Sequence, residues 1–356
     1  MSIRVYHTWY SRIRQYRPNE CIPSLRNMAW LMTGILVSHS VHLSRIADKI
    51  PGRAALTSTV RRLSRFLEGA SLRVRSWYEP VARDLLQRQA NSTHQVRLIV
   101  DGTKVGFRHQ LLMVSLAYRR RALPIAWTWI RSNRGHSSAC KQLALLEYVH
   151  ELIPTAIPVL VVGDSEFGAI EVLRQLDEWG WQYVLRQKGS HLIQPEGRTW
   201  QRFGEVLHHS GQSVWLGRGA LTQQHAYPLN LLAHWQMGET EPWLLATNLP
   251  VLRLALAAYR RRMWVEEMYG DFKKHGFNLE SSHLQHFTRL SRLTLAVVLL
   301  YVWLVGVGSE VIKNGQRHWV DRSDRRDLSI FRIGYNMLER CLTNSLPFDI
   351  RLVPYF

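Results

Sequence analysis

Two short apolar runs constrain this chain more than any other feature: residues 96–100, with Val, Leu and Ile on both faces, and residues 158–163, Pro-Val-Leu-Val-Val-Gly. A strand that is apolar on both faces is covered on both sides, the environment of a central strand in a sheet flanked by helices. Between them, residues 111–118 and 122–130 read as strands joined through Arg119-Arg120-Arg121, so three consecutive antiparallel strands are expected. Residues 138–152 carry Ala139, Leu143, Leu146 and Val149 at helical spacing. Residues 169–179 read as another helix and 181–186 as a fifth strand. Three strands, helix, strand, helix, strand is the order of a mixed sheet with helices packed on it, an α/β fold.

Both apolar runs end in an acid, Asp101 before Gly102 and Asp164 before Ser165-Glu166-Phe167-Gly168. Asp commonly ends a strand by starting a turn. Two carboxylates at adjacent strand ends, however, repel unless a cation lies between them, and magnesium accepts one or two carboxylates together with phosphate oxygens. A third acid comes from residues 252–274, expected as one long helix laid against the sheet. It carries Tyr259, Arg262, Glu266 and Lys273 at steps of three, four and seven residues. At roughly 100° per residue these fall within about 60° of one another around the axis. One stripe then holds a carboxylate for a divalent ion and cations for the phosphates beside it. The competing expectation is a solvated helix on which Arg262 and Glu266 form an ordinary i,i+4 pair. Glu267 lies about 100° further round the helix and is less well aimed. Glu166, two residues from Asp164, is the acid most easily mistaken for a member of the set.

The formal net charge of +19 points to a polyanion partner, DNA or RNA first. Residues 1–90 hold fifteen Lys and Arg against five Asp and Glu, so much of the excess lies there. Helical patterns cover residues 25–37, 41–50 and 56–68, with Pro51-Gly52 separating the second from the third and Thr57, Ser58 or Thr59 as its cap. The third pattern turns Arg61, Arg62 and Arg65 to one side and Leu63, Phe66 and Leu67 toward a core, in the manner of a helix-turn-helix. Sequence-specific DNA contact, general phosphate binding and simple packing all fit it. A further helix over 74–89 leads to the polar boundary Asn91-Ser92-Thr93-His94. The first residues are basic and aromatic without the apolar core of a signal peptide. Cys21, Cys140 and Cys341 are far apart, which fits a reducing cytoplasm and no structural zinc. Residues 293–308 are almost wholly apolar, but as a helix they reach about 24 Å against a hydrocarbon core of roughly 30 Å. A buried core helix over 285–308 is therefore expected rather than a membrane span, with one more helix over 324–341.

Asp101, Asp164 and Glu266 on this element order resemble the catalytic triad of DDE transposases with a ribonuclease-H-like core. The Tyr-x2-Arg-x3-Glu-x6-Lys spacing of Tyr259, Arg262, Glu266 and Lys273 is similar, in every position, to the motif of the insertion-sequence-4 family of bacterial transposases. The resemblance spans residues 20–310. It implies a ribonuclease-H-like mixed sheet with flanking helices, a β-rich insertion before the last catalytic helix, and an N-terminal helical domain. The expected division is a DNA-binding region at 1–92, core at 93–189 and 251–315, insertion at 190–250 and a tail at 316–356. Within the insertion, residues 213–216, 229–233 and 243–247 read as strands.

The resemblance further implies cut-and-paste transposition: hydrolysis at the element's end, hairpin formation and strand transfer. Asp101, Asp164 and Glu266 would hold two magnesium ions, with manganese as a substitute, and Tyr259, Arg262 and Lys273 would hold DNA phosphates. An insertion aromatic would stack on a flipped base, with Trp200, Trp215, Trp235 and Trp243 as the choices. Partners would be double-stranded DNA, as terminal repeats and target, and a second copy of the chain bridging two ends, in the cytoplasm at the nucleoid. The rivals are a metal-dependent nuclease of the same fold that does not join DNA, a non-catalytic DNA-binding relative, and a membrane protein built on residues 293–308.

Overall fold

The computed structural model describes residues 2–70, 72–106, 108–131 and 137–356. Five helices come first: α1 (Ser2–Tyr16), α2 (Ile22–Ser38), α3 (Leu43–Asp48), α4 (Leu56–Glu68) and α5 (Val74–Thr93). Then follow β1 (Val96–Val105), β2 (His109–Tyr118), β3 (Arg121–Arg131), α6 (Ala139–Leu152), β4 (Val159–Gly163), α7 (Ile170–Glu178) and β5 (Gln182–Arg186). The next strands are β6 (Leu192–Pro195), β7 (Gln201–Arg202), β8 (Ser213–Leu221), β9 (Tyr227–His234) and β10 (Trp243–Thr247). The chain continues with α8 (Leu252–Tyr259), α9 (Trp264–Phe272), α10 (Phe287–Lys313) and α11 (Ile330–Thr343). These elements fall into two compact units, Met1–Leu85 with Met268–Phe356, and Leu86–Glu267.

In the second unit the described strands form one ten-stranded sheet, ordered β3-β2-β1-β4-β5-β10-β9-β8-β6-β7. The expected antiparallel run β1-β2-β3 is present, and β4 and β5 extend it in parallel with β1. Helices α6, α7 and α8 pack on it: α6 on β2 and β3, α7 on β5, α8 on β4 and β5. The strands of the insertion do not stand apart. β10 pairs antiparallel with β5, and β9 and β8 continue outward, so the edge that β5 would otherwise present is paired.

The first unit is helical. α1 had no expected element, yet Val5, Trp9 and Ile13 recur every fourth residue and are all buried, with Trp9 edge-on to Trp303 of α10 at 5.2 Å. α4 begins after Ala55, without a side-chain cap, in place of the Thr57, Ser58 or Thr59 expected there. Leu56 is already helical, so all three hydroxyl residues lie inside the first turn. α10 is 27 residues long, long and apolar enough to cross a membrane, but most of its apolar window is buried inside the protein. It packs against α2, α4 and α11, as expected of a core helix.

One buried cation organises this packing. Arg292 of α10 donates from Nη1 to the Leu67 carbonyl at 2.7 Å and from Nε to the Leu72 carbonyl at 3.1 Å. Leu67 is in the last turn of α4, where carbonyls have no intrahelical partner and the helix dipole favours a positive group. Arg292→Met keeps the stem and removes the donors. It is expected to lower stability by about 2–3 kcal/mol, the cost of leaving buried carbonyls unsatisfied, read as a shifted urea midpoint.

Candidate active site

Strand register brings the first two acids together. β1 and β4 run parallel with Val100 opposite Gly163, so the residues that follow, Asp101 and Asp164, are neighbours across strands about 4.8 Å apart. β4 and β5 run parallel with Gly163 opposite Leu185, which adds Arg186 to the same row. Asp164 leaves its strand as expected. Asp101 does not: β1 runs on to Val105, and Asp101 lies mid-strand opposite Met113. The reason is the hairpin, since β2 keeps pairing with β1 after β4 has stopped.

The long helix expected over 252–274 is interrupted. α8 ends at Tyr259, Arg260–Met263 form a 3-10 turn, and α9 starts at Trp264. A 3-10 turn eclipses residues three apart, so Arg262 sits over Tyr259 and the even stripe of one α-helix is not preserved. What the interruption achieves is convergence. Arg262 Nη2 lies 2.9 Å from Asp101 Oδ2, 3.0 Å from Glu266 Oε1 and 3.7 Å from Asp164 Oδ2. Three acids from three elements thus surround one nitrogen. Arg262, expected on phosphates, lies among carboxylates.

The other motif residues divide. Tyr259 is 2% exposed, with Trp243 edge-on to its ring at 5.0 Å, so its phenol supports the wall of the site from inside. Lys273 belongs to the first unit, where it pairs with Glu280 at 3.5 Å. Of the four insertion tryptophans, Trp243 is the one packed on a motif residue, while Trp235 donates to the Glu239 carbonyl at 2.9 Å. Arg61, Arg62 and Arg65 line the exposed side of α4, with Leu63, Phe66 and Leu67 buried opposite, and α4 packs on the short α3.

The rival acids have other partners. Glu267 pairs with Arg121 at 3.0 Å. Glu166 accepts hydrogen bonds from Gln110 Nε2 at 2.9 Å and from both the backbone and hydroxyl of Ser137, while Gln142 bonds its carbonyl at 2.9 Å. A side chain on Gly102 would overlap the Gln110 amide, so that glycine leaves room for the Gln110–Glu166 bond. Arg186 was not legible as a site residue. It lies 3.9 Å from Asp164 Oδ1 and is held by Glu241 at 2.8 Å and the Pro242 carbonyl at 3.1 Å. The signal was present in outline: like both aspartates, it follows the apolar run of a central strand.

Charge crowding sets the protonation of the cluster. Asp101 is 4% exposed, and burial pushes its carboxyl up to about 7. Arg262 opposes that rise, Glu266 and Asp164 add to it, and a 2.7 Å bond from the Gly102 amide works against it. For Arg262, burial is the largest single effect and acts against its charge, but Asp101, Asp164, Tyr259 and Glu266 together reverse it, and the guanidinium is held charged. Burial, then Asp164, push the Tyr259 phenol up, so it stays a neutral donor.

Among the described residues no group of three or more His, Cys, Asp or Glu side chains is arranged to hold a metal ion as it stands. The point shared by the three acids is taken by Arg262 Nη2, a cation in the place where a cation is needed. The side chains gathered here are nevertheless all carboxylates, the chemistry a hard divalent ion takes, and buried Asp164 Oδ1 accepts no hydrogen bond.

Residues 93–303 match the family model described as the transposase DDE domain. No curated protein matches the chain. Among solved structures it is similar to piggyBac transposase in a synaptic complex with hairpin DNA, at 10% identity and a TM-score of 0.40, over 98% of this chain and 83% of that one.

Proposed function

The chain belongs to the transposase DDE domain family, and on that premise we propose that it is a cut-and-paste DNA transposase of the insertion-sequence-4 type. The observation that carries this reading is the convergence of Asp101, Asp164 and Glu266 on one point, from β1, the end of β4 and the first turn of α9. A cluster of three acids in a chain of net charge +19 serves a positively charged ligand of its own, while the remaining surface suits a polyanion.

The three carboxylates would hold two magnesium ions, or manganese, which supply Lewis-acid activation of the attacking oxygen and charge relief at phosphorus and the leaving oxygen. The reaction sequence is hydrolysis of one phosphodiester to a free 3′ hydroxyl, attack of that hydroxyl on the opposite strand to give a hairpin, hairpin opening, and attack of the 3′ ends on target DNA. Each transfer step exchanges one phosphorus–oxygen bond for another. Glu266 lies in the first turn of α9, where the helix dipole favours a carboxylate. Arg186 braces Asp164, and Tyr259 with Trp243 forms the apolar wall behind it. Trp243 is accordingly our choice among the insertion aromatics for stacking on a displaced base. Arg262 and Lys273 take phosphates, and Arg61, Arg62 and Arg65 of α4 contact duplex DNA. Pairing of two DNA ends calls for a dimer.

The test is a linear duplex carrying the DNA that flanks the coding sequence, incubated with magnesium and either wild type or Glu266→Gln. Nicked, hairpin and joined products from wild type alone are expected. Cleavage without any joined product would reduce the activity to that of a nuclease. Cleavage unchanged by the substitution would overturn the assignment of Glu266.

A further inference from the structure

Arg262 is bound in a way that a permanent structural cation is not. Its approach to each of the three acids is from the same nitrogen, Nη2. Nε is buried and makes no hydrogen bond, and Nη1 only approaches Met263 Sδ at 3.9 Å. A guanidinium that anchors a carboxylate for good normally uses two parallel N–H bonds. Here the fork is spent as a point charge. Met263, beside Nη1, is 47% exposed, so solvent is close to that end of the fork while Nε stays buried. The residue also rides on the 3-10 turn Arg260–Met263, whose hydrogen-bond geometry is poorer than that of the α-helices on either side.

The charges make the present position conditional. Three carboxylates face one guanidinium, and a divalent ion ligated by the same oxygens would sit about 2.1 Å from them. It would then meet Nη2 at a distance where two cations repel strongly. Metal and guanidinium therefore compete for one place. Arg186 cannot follow Arg262 into it, being held by Glu241 and the Pro242 carbonyl.

Resting on the reading of Asp101, Asp164 and Glu266 as metal ligands, we propose that Arg262 is an exchangeable internal cation. It holds the three acids together in the metal-free protein and leaves them for a DNA phosphate, so that phosphate binding and metal loading promote each other. The coupling is reciprocal by necessity: if DNA tightens metal binding by some factor, metal tightens DNA binding by the same factor. The consequence is a site that binds little metal until DNA is in place.

The experiment reads bound Mn2+ by electron paramagnetic resonance, with and without a linear duplex of the flanking DNA at a concentration that fully retards the probe on a gel. Asp101→Asn/Asp164→Asn protein with the same duplex corrects for Mn2+ held by DNA itself. The duplex is expected to tighten Mn2+ binding to wild type by roughly tenfold or more, within the usual range of allosteric coupling. Arg262→Gln is expected to bind Mn2+ tighter than wild type without DNA and to gain little from the duplex. Arg262→Lys, which keeps the charge but cannot reach three acids at once, is expected between them. Equal Mn2+ affinity of wild type with and without duplex overturns the exchange and leaves the triad standing. Wild type holding no more Mn2+ than the double variant under either condition overturns the triad itself. Should Arg262→Gln fail to fold by circular dichroism, Arg262→Lys takes its place, and a folded Arg262→Lys with the Mn2+ affinity and duplex gain of wild type overturns the exchange.

Discussion

Asp101→Asn is expected to abolish magnesium-dependent strand cleavage, by roughly a thousandfold or more, and at the same time to stabilise the metal-free protein at neutral pH. On the proposed reading of Asp101 as a metal ligand, the first effect follows from removing a buried carboxylate at the centre of the cluster. The second follows from burial, which pushes the Asp101 carboxyl up to about 7. Its unfolded value is near 3.9. Between those two pH values the folded chain keeps a proton that the unfolded chain has lost, so this group's contribution to stability is most favourable near pH 4 and falls as pH rises to 7. The size of that fall is on the order of 3–4 kcal/mol, because one pKa unit corresponds to about 1.4 kcal/mol. Asparagine has no proton to lose, so the difference between the two proteins isolates this one group. Chemical denaturation from pH 4 to 8 in the presence of chelator is the measurement. The variant should match wild type near pH 4 and exceed it above pH 7. Parallel curves across the range would show that Asp101 is ionised in the folded protein throughout. With Asp101 a magnesium ligand, as proposed, added magnesium reverses the ranking, because a ligand stabilises only the protein that binds it.

Gly334→Val should unfold the helical unit's core, at a cost of about 3 kcal/mol or more, the upper end for overpacking. Gly308 of α10 and Gly334 of α11 face each other where each helix meets the backbone of the other. A Cβ on Gly334 would overlap the Leu304 carbonyl oxygen, and one on Gly308 would overlap the Ile330 carbonyl oxygen. Both obstacles are backbone, so no side-chain rotation relieves them. The same approach seats the aromatic group around it, with Tyr301 of α10 stacked on Phe331 of α11 at 5.4 Å and Phe277 edge-on to Phe331 at 5.7 Å. Forcing the helices apart would loosen all of these contacts. The thermal midpoint and near-ultraviolet circular dichroism report it, and an unchanged midpoint would mean that the helices do not approach at these glycines.

Much of the second unit was readable because its signals are local. The central strands β1 and β4 are apolar on both faces, and β2 and β3 are joined by the turn Arg119-Arg120, with Arg121 already the first residue of β3. The aspartates were visible because each follows an apolar run. The motif of Tyr259, Arg262, Glu266 and Lys273 was visible because it is a spacing. α1 was missed because its buried residues, Val5, Tyr6, Trp9 and Ile13, form a thin stripe in a basic, aromatic stretch, one that makes sense once Trp303 is found beneath Trp9. The partners of the insertion strands were illegible for a different reason. A short strand pattern states that an edge will be paired but not with what, and β10 joins β5 from about sixty residues away.

The sequence by itself determined which residues are chemically equipped for this site: two aspartates after apolar strands, a glutamate on a helix, and an arginine four residues before it. Tertiary structure alone decided where they point. It put Arg262 among the acids, tied Glu166 to Gln110 and Ser137, turned Glu267 to Arg121, and added Arg186 to the row. The physical reason is that residue type and periodicity are properties of neighbours along the chain. Convergence depends on strand register and on a 3-10 interruption in one helix, and both are settled by packing between segments far apart in sequence.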